Sequence, residues 1–325
     1  MSTHDLNRRD FLRATGVAAS AAAIAACVPV PAAPPPAATE PAFKIPRRTL
    51  GKTGRRLSVV GFGGIVVMNE MPDDAKALVA QAIGRDINYF DVAPSYGNAQ
   101  ERLGPALEPY RKDVFLACKT TQRSKAGAEA ELKRSLELLR TDHFDLYQFH
   151  AVTSLAEVEM IFAPGGALEA FKDARERGQI RHIGFSAHSE AAALAMLDRF
   201  AFDTILYPVH WGMWYGGNFG PQVIAKAAEQ GLGILALKAL AKQKWPADAT
   251  KKWFKCWYQP VDTPADVALG LRFTLSRPVT AAVSPSHAEL LWLMCDAAEQ
   301  LTPITPDEEA QLAARSKELQ PLFTA

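Results

Sequence analysis

What the sequence lacks narrows the field first. Cysteine is scarce: Cys27, Cys118, Cys256 and Cys295 are scattered through 325 residues with no Cys-x-x-Cys spacing, so neither a zinc site nor a disulfide framework is indicated. No charge of one sign predominates, since 36 Lys and Arg stand against 35 Asp and Glu for a formal net charge of +1. Without a long basic run there is no field to gather nucleic-acid phosphates, and that class of partner is set aside. Long apolar runs are also missing. The alanine-rich stretch from Ala14 to Ala26 is, at about 13 residues, too short to stay in a bilayer as a helix.

What remains is ordinary globular material. With 48% hydrophobic and 22% charged residues, the chain can bury a core, and its length suits one large barrel or two medium domains.

The first 46 residues read as separate from the fold. Asn7-Arg8-Arg9-Asp10-Phe11-Leu12-Arg13 precedes the weakly hydrophobic alanine run and resembles a twin-arginine (Tat) export signal. Residues 1–27 are therefore expected to be a signal peptide, and the protein to be exported to the periplasm. Ile24-Ala25-Ala26-Cys27 resembles a lipobox, in which Cys27 would be lipidated and attach the chain to a membrane; plain cleavage among the following alanines is the alternative. Residues 28–46, rich in Pro and Ala, read as an extended, semi-rigid linker.

From residue 47 strands and helices alternate. Arg48-Thr49-Leu50-Gly51-Lys52-Thr53-Gly54 has turn glycines between short polar runs, the pattern of a hairpin that could plug the bottom of a barrel. Apolar runs at 57–64, 87–91, 114–119, 145–150, 181–186, 204–209, 233–238 and 279–283 read as strands. Helical spacing covers 73–85, 101–107, 124–140, 167–177, 190–199, 221–230 and 264–276, with one further terminal helix, and 241–262 is expected to be irregular. Eight strands alternating with helices predict an α/β fold, a (β/α)8 TIM barrel over residues 47–325 with an N-terminal β-hairpin; an open sheet is the structural alternative.

In such a barrel the carboxyl ends of the strands share the face where chemistry is done. Ile87-Asn88-Tyr89-Phe90 leads into Asp91-Val92-Ala93-Pro94-Ser95-Tyr96-Gly97, so one strand delivers an acid and a phenol into one loop. Lys119 ends Phe115-Leu116-Ala117-Cys118-Lys119, and His150 ends Asp145-Leu146-Tyr147-Gln148-Phe149-His150. Each has a dull alternative: a helix cap for Asp91, packing for Tyr96, solvation for Lys119, a loop hydrogen bond for His150. Together, at successive strand ends, they suit proton donation to a carbonyl. A phenol is a weak acid at neutral pH, and an ammonium within about 4–6 Å lowers its pKa. A buried Lys119 needs Asp91 beside it to keep its charge, while His150 would orient the carbonyl oxygen. None of the four can carry a hydride, so a cofactor must supply it.

These residues lie within a longer pattern: RTLGKTG, GFGG, DVAPSYG, FLACKT, DLYQFH, GQIRHIGFSAH, GLGILALKAL and ADVALGLRFTLSRP, then VTAAVSPS. In this order, from about Arg47 to Gln300, they resemble the aldo-keto reductase superfamily. The resemblance implies a barrel that binds NAD(P)H in an extended pose without a Rossmann domain. It implies Tyr96 as general acid, Lys119 and Asp91 tuning it, His150 at the substrate oxygen, and Ser186 hydrogen-bonding the nicotinamide carboxamide. Several positions depart from the family pattern. Ala187 stands where an asparagine often follows that serine, Leu206 where a glutamine is expected, and Leu237 where an aromatic often stacks on nicotinamide. His188 either substitutes for one of these contacts or faces solvent. Lys238 either meets the cofactor pyrophosphate or is a solvated strand-end lysine. Ser284 and Ser286 are candidate phosphate or ribose contacts. The arginine that would grip a 2′-phosphate is missing from 283–289, so the bidentate fork selecting NADP is not visible; the resemblance alone slightly favours NADP over NAD.

The aromatics of His210–Gly217, and Trp245, Trp253, Phe254, Trp257 and Tyr258 after them, suggest an apolar or aromatic small-molecule carbonyl if they wall a pocket, or packing if they do not. Export adds a constraint: outside the cytoplasm no pool of reduced nicotinamide is expected, so an unidentified redox partner would have to recycle the cofactor. Two functions follow, an exported reductase of aldehydes or ketones, or a nicotinamide-binding sensor or accessory subunit on the same fold with little turnover.

Overall fold

The computed structural model describes residues 44–325. The twin-arginine motif, Cys27 and all but the last three residues of the expected linker lie outside the described residues. Those last three belong to the fold: Ile45 is wholly buried in the core, and the Lys44 backbone N–H donates to Asp86 at 2.9 Å. Packing therefore begins before Arg47.

Strands β1 (Arg47–Thr49) and β2 (Arg56–Ser58) pair antiparallel, with Arg48 opposite Leu57, and a single 3-10 turn at Gly51–Thr53 joins them. This is the expected hairpin. Its tip needs glycine: Gly51 has φ +46, and a Cβ there would stand 2.2 Å from the Gly233 backbone nitrogen. Leu50 and Leu57 point into the barrel and pack with Tyr89, Phe115, Leu146 and Leu235, closing the bottom.

The barrel strands are β3 (Val60–Gly63), β4 (Tyr89–Asp91), β5 (Phe115–Thr120), β6 (Phe144–Val152), β7 (Ile180–Ala187), β8 (Thr204–Pro208) and β9 (Gly233–Leu237). After β10 (Ala241–Lys244) and β11 (Tyr258–Pro260), the last barrel strand is β12 (Ala281–Val283). The order β12-β3-β4-β5-β6-β7-β8-β9 closes on itself, with every pairing parallel. The closed barrel replaces the open-sheet alternative.

Alternation along the strands explains why the site sits on top. Inward-facing residues recur at i, i+2, and at the lower levels they are apolar: Tyr89, Phe115, Ala117, Leu146, Leu206, Leu235 and Ala281 form one cluster with the hairpin leucines. One step further along β4, β5, β6 and β7 the same faces carry Asp91, Lys119, Gln148 and Ser186, all buried. The barrel is an apolar plug with a polar upper layer.

Helix starts follow local chemistry. The side chains of Ser124, Ser154, Ser189, Thr263 and Thr305 each accept the backbone N–H three residues on, capping the helices that begin at Lys125, Leu155, Glu190, Pro264 and Pro306. Four expectations need correction. The apolar run 57–64 is split, its first residues serving the hairpin and its last the barrel. A helix at Leu155–Phe162, unforeseen because it spans barely two turns between loops, precedes the expected one at Ala167–Glu176. The segment 241–262 contains the antiparallel pair β10–β11. The terminal helix is two helices, Ala288–Glu299 and Pro306–Ser316.

Candidate active site

At the carboxyl ends of the strands a cavity of about 200 Å³ opens. Tyr96, Lys119, His150, Ser186, His188, Lys238, Ser284 and Ser286 all line it, and Asp91 lies buried beside Lys119. The nine polar residues singled out as candidate catalytic or cofactor-binding groups are thus brought to one place.

The floor is an ion pair. Lys119 Nζ donates to Asp91 Oδ1 and, at 3.2 Å, to the Val92 carbonyl, with both side chains 1% exposed. Burial alone would strip the lysine of its proton, but Asp91 and Tyr96 outweigh it and hold its pKa above the ordinary value. The Lys119 nitrogen stands 5.3 Å from the centre of the Tyr96 ring, and the Tyr96 and His150 rings meet edge to face at 5.8 Å. The phenol does not become the stronger acid that its position beside an ammonium predicted. Burial pushes its pKa up, Lys119 pulls it down, and the net is upward. The ammonium thus limits the penalty for ionising a buried phenol rather than abolishing it.

His150 is a neutral imidazole. Burial, reinforced by Lys119, His188, Arg123 and Lys238, lowers its pKa to about 2. Its Nδ1 lies 3.4 Å from Ser95 Oγ, which leaves Nε2 for the cavity. The peptide around it is pinned. Arg123 donates to the His150 carbonyl at 2.6 Å, while Ala151, at φ +52, donates its N–H to Ser186 Oγ at 2.8 Å. With that bond accepted, the Ser186 hydroxyl hydrogen is free for a cavity oxygen.

The opposite wall shows what surrounds the two residues whose readings were left open. His188 does not face solvent; it stacks on Phe323 at 5.1 Å and 17°, and its Nε2 is 3.3 Å from Lys238 Nζ. Burial and Lys238 lower its pKa to about 3. Nor is Lys238 a solvated lysine: it is 8% exposed, sits at φ +65, and has no carboxylate partner among the described residues. Its nitrogen lies 5.6 Å from the Trp257 ring and 5.4 Å from Phe323, and burial drops its pKa to about 7. Ser284 Oγ accepts the Gly63 N–H at 3.0 Å, and Ser286 Oγ lies 3.0 Å from Cys256 Sγ. Leu206 and Leu237 contribute apolar wall where carboxamide and ring contacts were expected.

The aromatic stretches divide. Trp211 and Trp214 pack against Phe273 and the last helix, so the loop after β8 is core rather than pocket. From the insert, Trp257 and Tyr258 reach the cavity while Trp253 packs behind it. The insert is fastened by Lys255, whose nitrogen meets Glu70 at 2.6 Å and the Val66 carbonyl at 3.1 Å. Phe323 was missed in the sequence because nothing local links a C-terminal phenylalanine to a cavity; the tail is brought there by Ala325 N–H donating to the Gly217 carbonyl at 3.0 Å. No cluster of His, Cys, Asp and Glu among the described residues could hold a metal ion, and none of their helices is long and apolar enough to cross a membrane.

The donor set fits a nicotinamide dinucleotide. A buried lysine with no carboxylate partner among the described residues suits an anion such as a diphosphate, and Ser186 presents a free donor suited to a carboxamide oxygen. A phenol, an ammonium and an imidazole thus meet around one upper cavity of a closed parallel barrel. The sequence matches the aldo/keto reductase family over residues 60–252, and the chain belongs to that family. Among curated proteins it is 32% identical over 155 residues to the uncharacterised oxidoreductase YqkF of Bacillus subtilis, covering 43% of this chain and 48% of that protein. It is 28% identical over 229 residues to L-galactose dehydrogenase of Arabidopsis thaliana, covering 65% and 70%. The match thus spans about half the length of the Bacillus relative. Among solved structures, an aldo-keto reductase from Bacillus halodurans in its holo form superposes with a TM-score of 0.66 at 22% identity, over 86% of this chain and 98% of that one.

Proposed function

We propose that the protein reduces an aldehyde or ketone to an alcohol using NADH or NADPH. The observation that carries this reading is the buried Asp91–Lys119 pair beneath Tyr96, with neutral His150 across from it on the same cavity. Ser186, Lys238, Ser284 and Ser286 would hold the cofactor, which when bound would supply the hydride. His150 Nε2–H hydrogen-bonds the carbonyl oxygen and draws it toward Tyr96. As negative charge develops on that oxygen, Tyr96 gives it the phenolic proton, and Lys119, still positive because of Asp91, stabilises the tyrosinate left behind. The reverse flow of the proton serves alcohol oxidation.

Residues 283–289 contain no arginine, so the bidentate grip that would favour NADPH is lacking there and the two cofactors are expected to be used with similar efficiency. Carbonyl-dependent oxidation of each, in wild type and in Tyr96→Phe, tests the whole reading; turnover unaffected by the phenylalanine would end it. Trp257 and Tyr258 on the cavity wall favour an apolar or aromatic carbonyl. We further propose that Arg8-Arg9 directs export, so that an Arg8→Lys, Arg9→Lys variant stays in the cytoplasm. Lipidation at Cys27 would anchor the exported protein, and Cys27→Ser would then release it from the membrane fraction.

A further inference from the structure

The Asp91 carboxylate is held by more than its lysine. Oδ1 takes Lys119, while Oδ2 accepts the Tyr89 hydroxyl at 3.1 Å and the Gln148 side-chain amide at 3.2 Å. Tyr89 and Gln148 are wholly buried and neither lines the cavity. They come from different strands, Tyr89 two residues before Asp91 on β4 and Gln148 opposite Lys119 across the β5–β6 pairing. The proton-transfer roles described above do not use them.

We propose that Tyr89 and Gln148 are positioning residues that fix the direction of the Asp91 carboxylate and so set how strongly Lys119 assists Tyr96. The inference rests on the reading of Tyr96 as proton donor. Neutral donors on Oδ2 stabilise the ionised acid and saturate that oxygen. With Oδ2 occupied, Asp91 meets Lys119 through one oxygen only, and the ammonium stays available to the phenol. Remove the donors and a buried, unsatisfied oxygen remains. The carboxylate is then free to turn both oxygens onto Lys119, drawing the ammonium's charge away from Tyr96. The groups facing Tyr96 are Lys119, Asp91, Tyr89, Cys118, His150 and Tyr258. With His150 neutral, Lys119 is the one cation in that set, so any loss of its help makes Tyr96 a weaker acid.

The test uses Tyr89→Phe and Gln148→Leu, singly and together, in the full chain, with Tyr96→Phe as reference. Each single variant is expected to lower kcat for carbonyl reduction about fivefold, the value of one buried hydrogen bond. The KM for the dinucleotide stays in place. The alkaline limb of kcat moves to higher pH, the solvent deuterium isotope effect grows as proton transfer becomes harder, and the double variant shows more of both. Variants that lose thermal stability but keep the wild-type pH profile and isotope effect would show a packing role only and overturn the proposal. Unchanged kcat in both singles would do the same, and because they are separate substitutions on separate strands, a folding failure in one leaves the other to decide. Should Tyr96→Phe itself leave turnover intact, the proton-donor reading fails, a result distinguishable from failure of the positioning role.

Discussion

Two buried carboxylates mark the two ends of the barrel, and the cell of charges around each is built differently. Asp145, at the start of β6 and 1% exposed, faces three arginines: Arg111 at 3.0 Å, Arg181 at 3.5 Å and Arg55 at 3.8 Å. It also accepts the Leu116 N–H at 3.1 Å. These partners come from the hairpin connection, the segment before β5, and β7, so the acid ties the plug to the strands. Asp91, at the end of β4, has one lysine and two neutral donors. Surplus positive charge at the bottom fixes structure; a single matched cation at the top, open to a cavity on its far side, leaves charge that a neighbouring phenol can use. The difference teaches that burial of an acid is not by itself a mark of chemistry. What matters is whether its partner also faces space where a substrate can stand.

Exchanging the roles should break the comparison in graded steps. The largest effect is expected from Lys119→Met. Asp91 is left as a buried acid without its cation, which destabilises the fold by about 3–5 kcal/mol in chemical denaturation, and turnover falls by about 10³-fold or more because the tyrosinate loses its support. Asp145→Asn should separate the two ends: unfolding free energy drops by about 2 kcal/mol, less than a fully buried pair because Arg55 and Arg181 reach solvent, while kcat measured on the folded protein is unchanged. A loss of kcat there without loss of stability would mean that the ends are not independent.

The smallest effect concerns Lys238, which has no carboxylate partner among the described residues. Its folded pKa, about 7, lies below the ordinary lysine value of 10.5, so between those limits the unfolded chain binds the proton more readily. Stability of the unliganded protein should therefore rise with pH from about 7 toward 10.5, with the full penalty present at lower pH. Lys238→Met is expected to flatten that profile and raise Tm at pH 6, while weakening dinucleotide binding, followed by quenching of protein fluorescence. A steeper pH dependence in the variant would overturn the assignment of the slope to this residue.

Much of this was legible in the chain. Alternating runs gave the eight barrel strands, helical spacing placed most of the helices, and polar residues at strand ends pointed to the cavity. Legibility failed where spacing carries no information. Tyr89 and Gln148 read as ordinary strand residues; only the β4–β5–β6 registers bring the Gln148 amide to Asp91, where the Tyr89 hydroxyl from the same strand also bonds. Phe323 stands 135 residues beyond His188, on which it stacks (323 − 188).

By itself the sequence determined the alternation of barrel strands and helices, the closing hairpin and which polar residues stand at the strand ends, because these follow from the period of apolar residues and from breakers that act over a few positions. Only the tertiary structure decided that Lys238 is buried with no carboxylate partner among the described residues, that Trp211 and Trp214 are core, and that burial outweighs Lys119 in setting the acidity of Tyr96. Desolvation is a property of everything packed around a group, and that surrounding is assembled from residues distant in the chain.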